Sequence, residues 1–436
     1  MVLVVGEVFV DYTLSTFNEK CKLRLGGVVH ACRGLWASDK RYSAAIICPE
    51  YLQKEAQSYL IAHGCEEVII LGDITGSPNV ISISDVKELA HQGYEDLLRD
   101  NKEVKLKCVH QQLDSFGDVL IFPGSFNLEE LYEKFSSNAK FSFDIAYGIE
   151  SFSELDFYSG RISLLLTSTS SELFESNAKQ DITPLIGLAS SLSVECFILK
   201  ENRGGSRVFD LISDTSVRIP AKLGITQNSV GVGDVYSAAV IAHKNLGWEN
   251  AAWVASIAAT SYSQTTFPDD FKRDVQRNIS LPLDVTKGLG GVYLPWHERP
   301  KYNIYFAAPD FSYIDRKDLD YAIASMEYHN FTLLRPIVEN GELNEESSEL
   351  ERRQTYFQDV KLIEECDVVF AIPLNRDPGT LIEIGIAQAT QKPVVTYDPN
   401  AENDNNMVIM GSNSYSTDLD SSLNSIFDIL SGMENE

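Results

Sequence analysis

Short apolar runs alternate with stretches of helical period along most of the 436-residue chain. This alternation constrains the fold more than any other feature of the sequence. The runs at residues 3–5, 44–48, 67–71, 119–122, 163–166 and 196–199 read as strands, and what lies between them carries helical periodicity. Such a pattern predicts an open, mostly parallel sheet with helices on its faces. It lapses over LPLDVTKGLGGVYLPWHERP, residues 281–300, where Gly and Pro break any period. It then restarts with a strand at 302–307, a helix at 316–328, a helical stretch at 345–365, a strand at 367–372, a helix at 379–391 and a strand at 393–397. The expected class is therefore α/β in two domains, 1–285 and 301–436, joined by a linker at 286–300.

Composition narrows the function. The formal net charge is −27, a field that repels phosphate backbones and anionic lipid headgroups, so neither nucleic acid nor a membrane surface is an expected partner. A local site can still take a small anion. The seven cysteines, Cys21, Cys32, Cys48, Cys65, Cys108, Cys196 and Cys366, are scattered, odd in number and without a C-x-x-C pair. They read as free thiols in a reducing, cytoplasmic setting. The opening MVLVVGEVFVDY reads as a first strand rather than a secretion signal, and no run of about 18 apolar residues occurs.

The sharpest local signal is Asp377-Pro378-Gly379-Thr380-Leu381-Ile382-Glu383-Ile384-Gly385, between a strand and a helix. Asp377-Pro378 alone is a helix start: a cap followed by the residue best suited to the first helical position. Glu383 is less easily explained as an exposed helix residue, because its neighbours are apolar. Near a helix N-terminus a carboxylate is stabilised by the dipole, and beside the carboxyl ends of parallel strands it faces the crevice where ligands bind. Tyr305, which ends the first strand of this half, Asp359, and Asn405 and Met407 in the polar tail fit the same crevice. Each also has a bland reading as core aromatic, solvated helix residue or loop residue. Asp367 belongs to the start of a strand.

The stretch IYFAAPDFS … QDVKLIEECDVVFAIPLNRDPGTLIEIGIAQATQKPVV closely resembles the nucleoside 2-deoxyribosyltransferase family, over about residues 302–407. The resemblance implies that Glu383 is the nucleophile and that Asp377 and Asp359 are carboxylates near the base. It makes Tyr305 the tyrosine that orients the nucleophile. Asn405 and Met407 would belong to the segment that completes a neighbouring subunit's site in a homo-oligomer. Breaking an N-glycosidic bond develops positive charge at the anomeric carbon, which a carboxylate on one sugar face can stabilise and then bond. Only Ser312 in Pro309-Asp310-Phe311-Ser312 is suited to a phosphate, which favours an unphosphorylated nucleoside.

A second signal is Asn228-Ser229-Val230-Gly231-Val232-Gly233-Asp234 before an apolar helical run. Glycines there let backbone N–H groups approach an anion at a helix N-terminus, and Asp234 could take a proton from an attacking hydroxyl. A loop whose aspartate caps a helix is the alternative. Residues 1–282 resemble the ribokinase-like (PfkB) carbohydrate kinases, which implies an α/β/α sandwich before a smaller flavodoxin/Rossmann-like parallel-sheet domain. By that resemblance Asp11 contacts the sugar and Gly26 and Gly27 lie beneath it. Gly231, Val232 and Gly233 form the anion hole, Asp234 is the base, and Gly205 and Glu172 belong to the nucleotide region. The sequence departs from the family pattern at His30, Asn228, Thr169, Lys200 and Asn202.

Together the resemblances imply a bifunctional salvage enzyme acting on nucleosides, free bases or sugars. ATP and Mg2+ would serve the kinase domain, and the transferase domain would need no cofactor. An N-glycoside hydrolase with a silent, ligand-sensing kinase-like domain remains the alternative.

Overall fold

The computed structural model describes residues 1–15, 20–98, 100–107, 113–343 and 346–434. The chain divides into two compact units, 1–88 with 92–293, and 89–91 with 294–436. The expected α/β class holds in both.

In the first unit the main sheet runs, in spatial order, Thr215–Ile219, Ser206–Asp210, Cys196–Lys200, Ile162–Ser168, Lys140–Asp144, Asp118–Ile121, Val2–Thr13, Tyr42–Cys48, Cys65–Thr75 and Glu103–Leu106. The strands from Cys196–Lys200 to Cys65–Thr75 are all parallel. Antiparallel strands finish both edges. Strands Tyr42–Cys48, Ile162–Ser168 and Cys196–Lys200 are buried throughout, as expected of a sheet covered on both faces.

The opening strand, Val2–Thr13, spans the expected MVLVVGEVFVDY. Its second half leaves the main sheet and pairs antiparallel with Lys22–Gly27 and parallel with Val80–Ile83. Asp11 thereby lies directly opposite Arg24. Helices Val28–Ala37, Val232–His243 and Trp248–Ser263 cover one face with small side chains: Ala31, Ala238, Ala239, Ala251, Ala252 and Ala255 are buried there. Gly34 lets two of these helices touch, since a Cβ on it would stand 3.2 Å from the Val235 backbone. Residues 281–300 contain a short helix, Leu283–Gly288, and Val292 bridges Ala221.

The second unit has one parallel sheet of five strands, in spatial order Thr332–Leu334, Asn303–Ala307, Val368–Ala371, Val394–Tyr397 and Ser414–Ser416. Counted along the chain the order is 2-1-3-4-5, the flavodoxin-like arrangement, with its switch point between Asn303–Ala307 and Val368–Ala371. Helices Lys317–Tyr328, Glu349–Glu365, Pro378–Ala389 and Leu419–Glu434 accompany it. The helix expected from 345 starts at Glu349, behind a capping box in which Ser348 and Glu351 satisfy each other's backbone N–H; residue 345 lies outside the described residues. The core gathers Tyr305, Ile363, Val369, Ile384, Ala387 and Val394.

Cys32, Cys48, Cys65, Cys196 and Cys366 are buried free thiols and Cys21 is an exposed one; Cys108 lies outside the described residues. Among the described residues no helix is long and apolar enough to cross a membrane.

Candidate functional site

In the second unit the site forms at the switch point. Tyr305 lies in the middle of its strand, Asn303–Ala307, rather than at its end; at the strand's start the Asn303 N–H donates to Asp367 Oδ2 at 2.7 Å. Its ring is fully buried, and its hydroxyl donates to Oε1 of Glu383 at 2.7 Å. Glu383 stands in the second turn of Pro378–Ala389. Ile384 and Ala387 hold that helix to the core, while Ile382 is 59% exposed. Asp377 caps the same helix: its Oδ2 accepts from the N–H of Thr380 at 2.7 Å and from its hydroxyl at 2.9 Å. Asp359, half-buried on Glu349–Glu365, accepts from Nδ2 of Asn340 at 2.7 Å.

The electrostatics follow from this crowding. Burial is the main cause that pushes Glu383 up to about 8, and the charges of Asp359 and Asp377 add to it; the Tyr305 hydroxyl works in the other direction. Burial also raises Asp359, against the bond from Asn340. Tyr305 is raised by burial and by the Glu383 charge. Three carboxyl groups whose environments differ, beside one phenol, can hold a proton on one member and a negative charge on another.

Asn405 and Met407 are not drawn in. Asn405 caps the short helix Asn406–Ile409 by accepting from the Met407 N–H at 2.8 Å, and Met407 is 75% exposed. Sequence reading missed Asn340, which has no motif around it. It also missed the pairing of buried Asp310 with Arg335, at 2.7 and 2.9 Å, and with Arg316.

In the first unit Asp11, Gly26, Gly231 and Asp234 come together. A Cβ on Gly26 would stand 1.9 Å from Oδ1 of Asp11, so any side chain there would have to displace that carboxylate. Oδ2 of Asp11 already has two partners, Arg24 Nε at 3.1 Å and His30 Nε2 at 2.9 Å. Burial opposes ionisation of Asp11, but His30 and Arg24 outweigh it and hold it below the usual range. His30 itself is pushed down to about 4 by burial. It is therefore neutral at physiological pH, and Arg24 is the cation that answers Asp11. The same guanidinium reaches Oδ1 of Asn228 at 2.9 Å and the Val230 carbonyl at 2.7 Å.

Gly231, with φ 84°, is the N-cap of Val232–His243. Gly27 (φ 60°) and Gly205 (φ 93°) also take left-handed backbone. Val232 packs against the core. Asp234, in the first helical turn, is pushed up to about 8 by burial and then by Asp144, with Lys200 opposing. Gly233 adjoins Lys200, whose ammonium donates to Asp144 Oδ2 at 2.6 Å, Ser237 Oγ at 3.3 Å and the Gly233 carbonyl at 3.4 Å. Glu172 is exposed in the first turn of Glu172–Asn177. Arg24, Asp144 and Ser237 were not singled out from sequence.

The glycine turn at a helix N-terminus fits a phosphate. Among the described residues no group of three or more His, Cys, Asp or Glu is placed to hold a metal, and Asp144 accepts from the Lys200 ammonium.

This is an α/β molecule with a carboxylate cluster beside a sheet switch point in one unit and a glycine turn beside an aspartate in the other. The family model for nucleoside 2-deoxyribosyltransferase matches residues 304–418, and this segment is a nucleoside 2-deoxyribosyltransferase domain. No curated protein matches the chain. Among solved structures, ribokinase from Giardia lamblia is similar at 14% identity and TM-score 0.47, over 64% of this chain and 99% of that one. Burkholderia thailandensis nucleoside kinase in complex with inosine gives 15% and 0.47, over 68% and 98%. A putative ribokinase II from E. coli in complex with ATP and Mg2+ gives 13% and 0.45, over 63% and 99%.

Proposed function

We propose that the chain is a bifunctional enzyme of nucleoside or sugar salvage, with a glycosyl-transferring domain in 301–436 and a kinase-like domain in 1–285. The carrying observation is the 2.7 Å bond from Tyr305 to Glu383, which holds a half-buried carboxylate beside the sheet's switch point. Glu383, once ionised, attacks the anomeric carbon. The N-glycosidic bond breaks, its electron pair goes to the base nitrogen, and Asp377 or Asp359 supplies the proton. A second base then attacks the anomeric carbon of the glycosyl ester and gives its N–H proton to the aspartate that protonated the first base, while the ester bond breaks and the Glu383 carboxylate is restored. With water as acceptor the same site is a hydrolase. The exposure of Asn405 and Met407 supports their reaching a neighbouring copy in a homo-oligomer.

In the first unit Gly231–Gly233 would hold the transferred phosphate, Asp234 would take the hydroxyl proton, and Gly205 and Glu172 would lie toward the nucleotide. Bound ATP with Mg2+ would supply the phosphoryl group, while Gly231–Gly233 would orient it and Asp234 would accept the acceptor's proton. A second reading, a silent ligand-sensing domain, is favoured by one observation: Oδ2 of Asp11 is already bonded to Arg24 and His30.

Incubation with a nucleoside panel and free bases, with and without ATP and Mg2+, and product mass spectrometry tests both sites. Base exchange lost in Glu383→Gln is expected, and full exchange in that variant overturns the assignment. Phosphorylated product lost in Asp234→Asn supports the kinase; no transfer and no nucleotide binding supports the silent reading.

A further inference from the structure

The carboxyl group of Asp398 is fully buried just beyond the strand Val394–Tyr397. Its Oδ2 accepts from the Tyr415 hydroxyl at 2.7 Å, the Asn403 N–H at 2.8 Å and Asn403 Nδ2 at 3.2 Å, and its Oδ1 from the Glu402 N–H at 3.1 Å. Burial alone would raise its pKa; the four donors outweigh burial and leave it below the ordinary carboxylate range. It is therefore an ionised hub for residues 402 and 403.

Those two residues grip a second segment. Asn403 Nδ2 also donates to the Pro373 carbonyl at 3.0 Å. Glu402 Oε2 accepts from the Asn375 N–H at 2.6 Å, and the Glu402 carbonyl accepts from Arg376 Nε at 2.6 Å. Asn375 and Arg376 both have φ 54°, a left-handed conformation that costs a side-chain-bearing residue and persists only where surroundings enforce it. The next residue is Asp377, which caps the helix carrying Glu383. Two residues beyond Asn403 is Asn405, which caps the helix beginning with Asn406 and Met407.

We propose that Asp398 is a positioning residue that fixes, through residues 402 and 403, both the strained turn before Asp377 and the segment bearing Asn405 and Met407. Its catalytic meaning rests on the Glu383 reading above. One buried anion then sets the registration between the carboxylates of a site and the segment assigned to a neighbouring site. A ladder of hydrogen bonds carries this. Asn at position 398 keeps the shape but replaces one acceptor with a donor facing donors, so the ladder should loosen along its length.

Hydrogen exchange of the full chain, read by mass spectrometry, decides the matter without a substrate. In Asp398→Asn the amides of 375–377 and of 402–407 should exchange at least about tenfold faster together. Tyr415→Phe, which removes one donor and leaves the carboxylate, should give the same pattern with smaller amplitude and serves if Asp398→Asn does not fold. Acceleration confined to 402–404, with 375–377 at the native rate, overturns the coupling. On active protein, kcat for base exchange should fall about tenfold with KM changed less than threefold. A wild-type chain inert toward every nucleoside overturns the transferase reading and leaves the exchange result to judge Asp398.

Discussion

Tyr305 and Glu383 are 78 positions apart in sequence and 2.7 Å apart in space, joined by a hydroxyl donating to a carboxylate oxygen. The phenol is fully buried and the carboxylate half-buried. The bond therefore does two things: it orients Glu383, and it opposes the burial that would otherwise keep that group protonated.

The opposing influences on Glu383 can be separated by pH. On the proposed mechanism attack needs the ionised form, so kcat/KM for base exchange should rise with pH through about 8. Tyr305→Phe removes the stabilising donor and should move that limb to higher pH by about one unit, about a tenfold loss at pH 7. Asp359→Asn removes a repelling charge and should move it to lower pH. Shifts in the same direction would contradict the arrangement.

Stability should carry the same signature. The pKa of Glu383 is raised in the folded state, so the folded chain holds its proton more tightly than the unfolded chain. That contribution is complete below the ordinary glutamate pKa and is lost as pH rises through about 8. Glu383→Gln should therefore melt higher than wild type at pH 9, by on the order of 5 °C relative to their difference at pH 5. Parallel melting curves at all pH values would refute the buried carboxyl.

Glycines of the first unit should differ sharply. Gly26→Ala drives a Cβ into Asp11, and Gly231→Ala combines φ 84° with a Cβ 2.2 Å from the His30 ring. Each should cost about 2–4 kcal/mol in urea denaturation. Gly187, inside the helix Thr183–Ser191 with nothing within 4 Å of a Cβ, should gain up to about 1 kcal/mol as alanine.

Lys200 and Asp144 form a buried pair, 9% and 3% exposed. Lys200→Met leaves the carboxylate uncompensated and should cost about 3–5 kcal/mol. Asp144→Asn in that background should restore more than half. A double variant no better than the single one would show that the two do not depend on each other.

Much of the fold was legible because it is written locally. The buried strands at 44–48, 163–166 and 196–199 lie within strands Tyr42–Cys48, Ile162–Ser168 and Cys196–Lys200, since their apolar runs are unbroken. The opening MVLVVGEVFVDY is legible as strand Val2–Thr13 even though Glu7 and Asp11 interrupt its apolar pattern, but what pairs with those two carboxylates is not. Both are buried, Glu7 against Lys102 at 2.6 Å and Asp11 against Arg24, partners far enough along the chain to leave no periodic trace. Edge strands Ser206–Asp210 and Thr215–Ile219 went unread for the complementary reason: their half-exposed residues are mixed in polarity.

The candidate site divides the same way. Asp377-Pro378 announces a helix start by residue type alone, and the cap is there. Nothing local reveals that Arg24 clasps Asn228 across 204 positions, or that Lys200 neutralises Asp144 beneath the glycine turn.

Residue order by itself determined which segments are strand or helix, where helices begin, and which carboxylates stand near strand ends, because propensity, capping and period are short-range properties of the chain. Tertiary structure alone decided which carboxylate meets which donor, and therefore which holds its proton near neutral pH. Desolvation and Coulomb interaction depend on distances through space, and those exist only once the sheet has brought Tyr305 to Glu383 and Arg24 to Asp11.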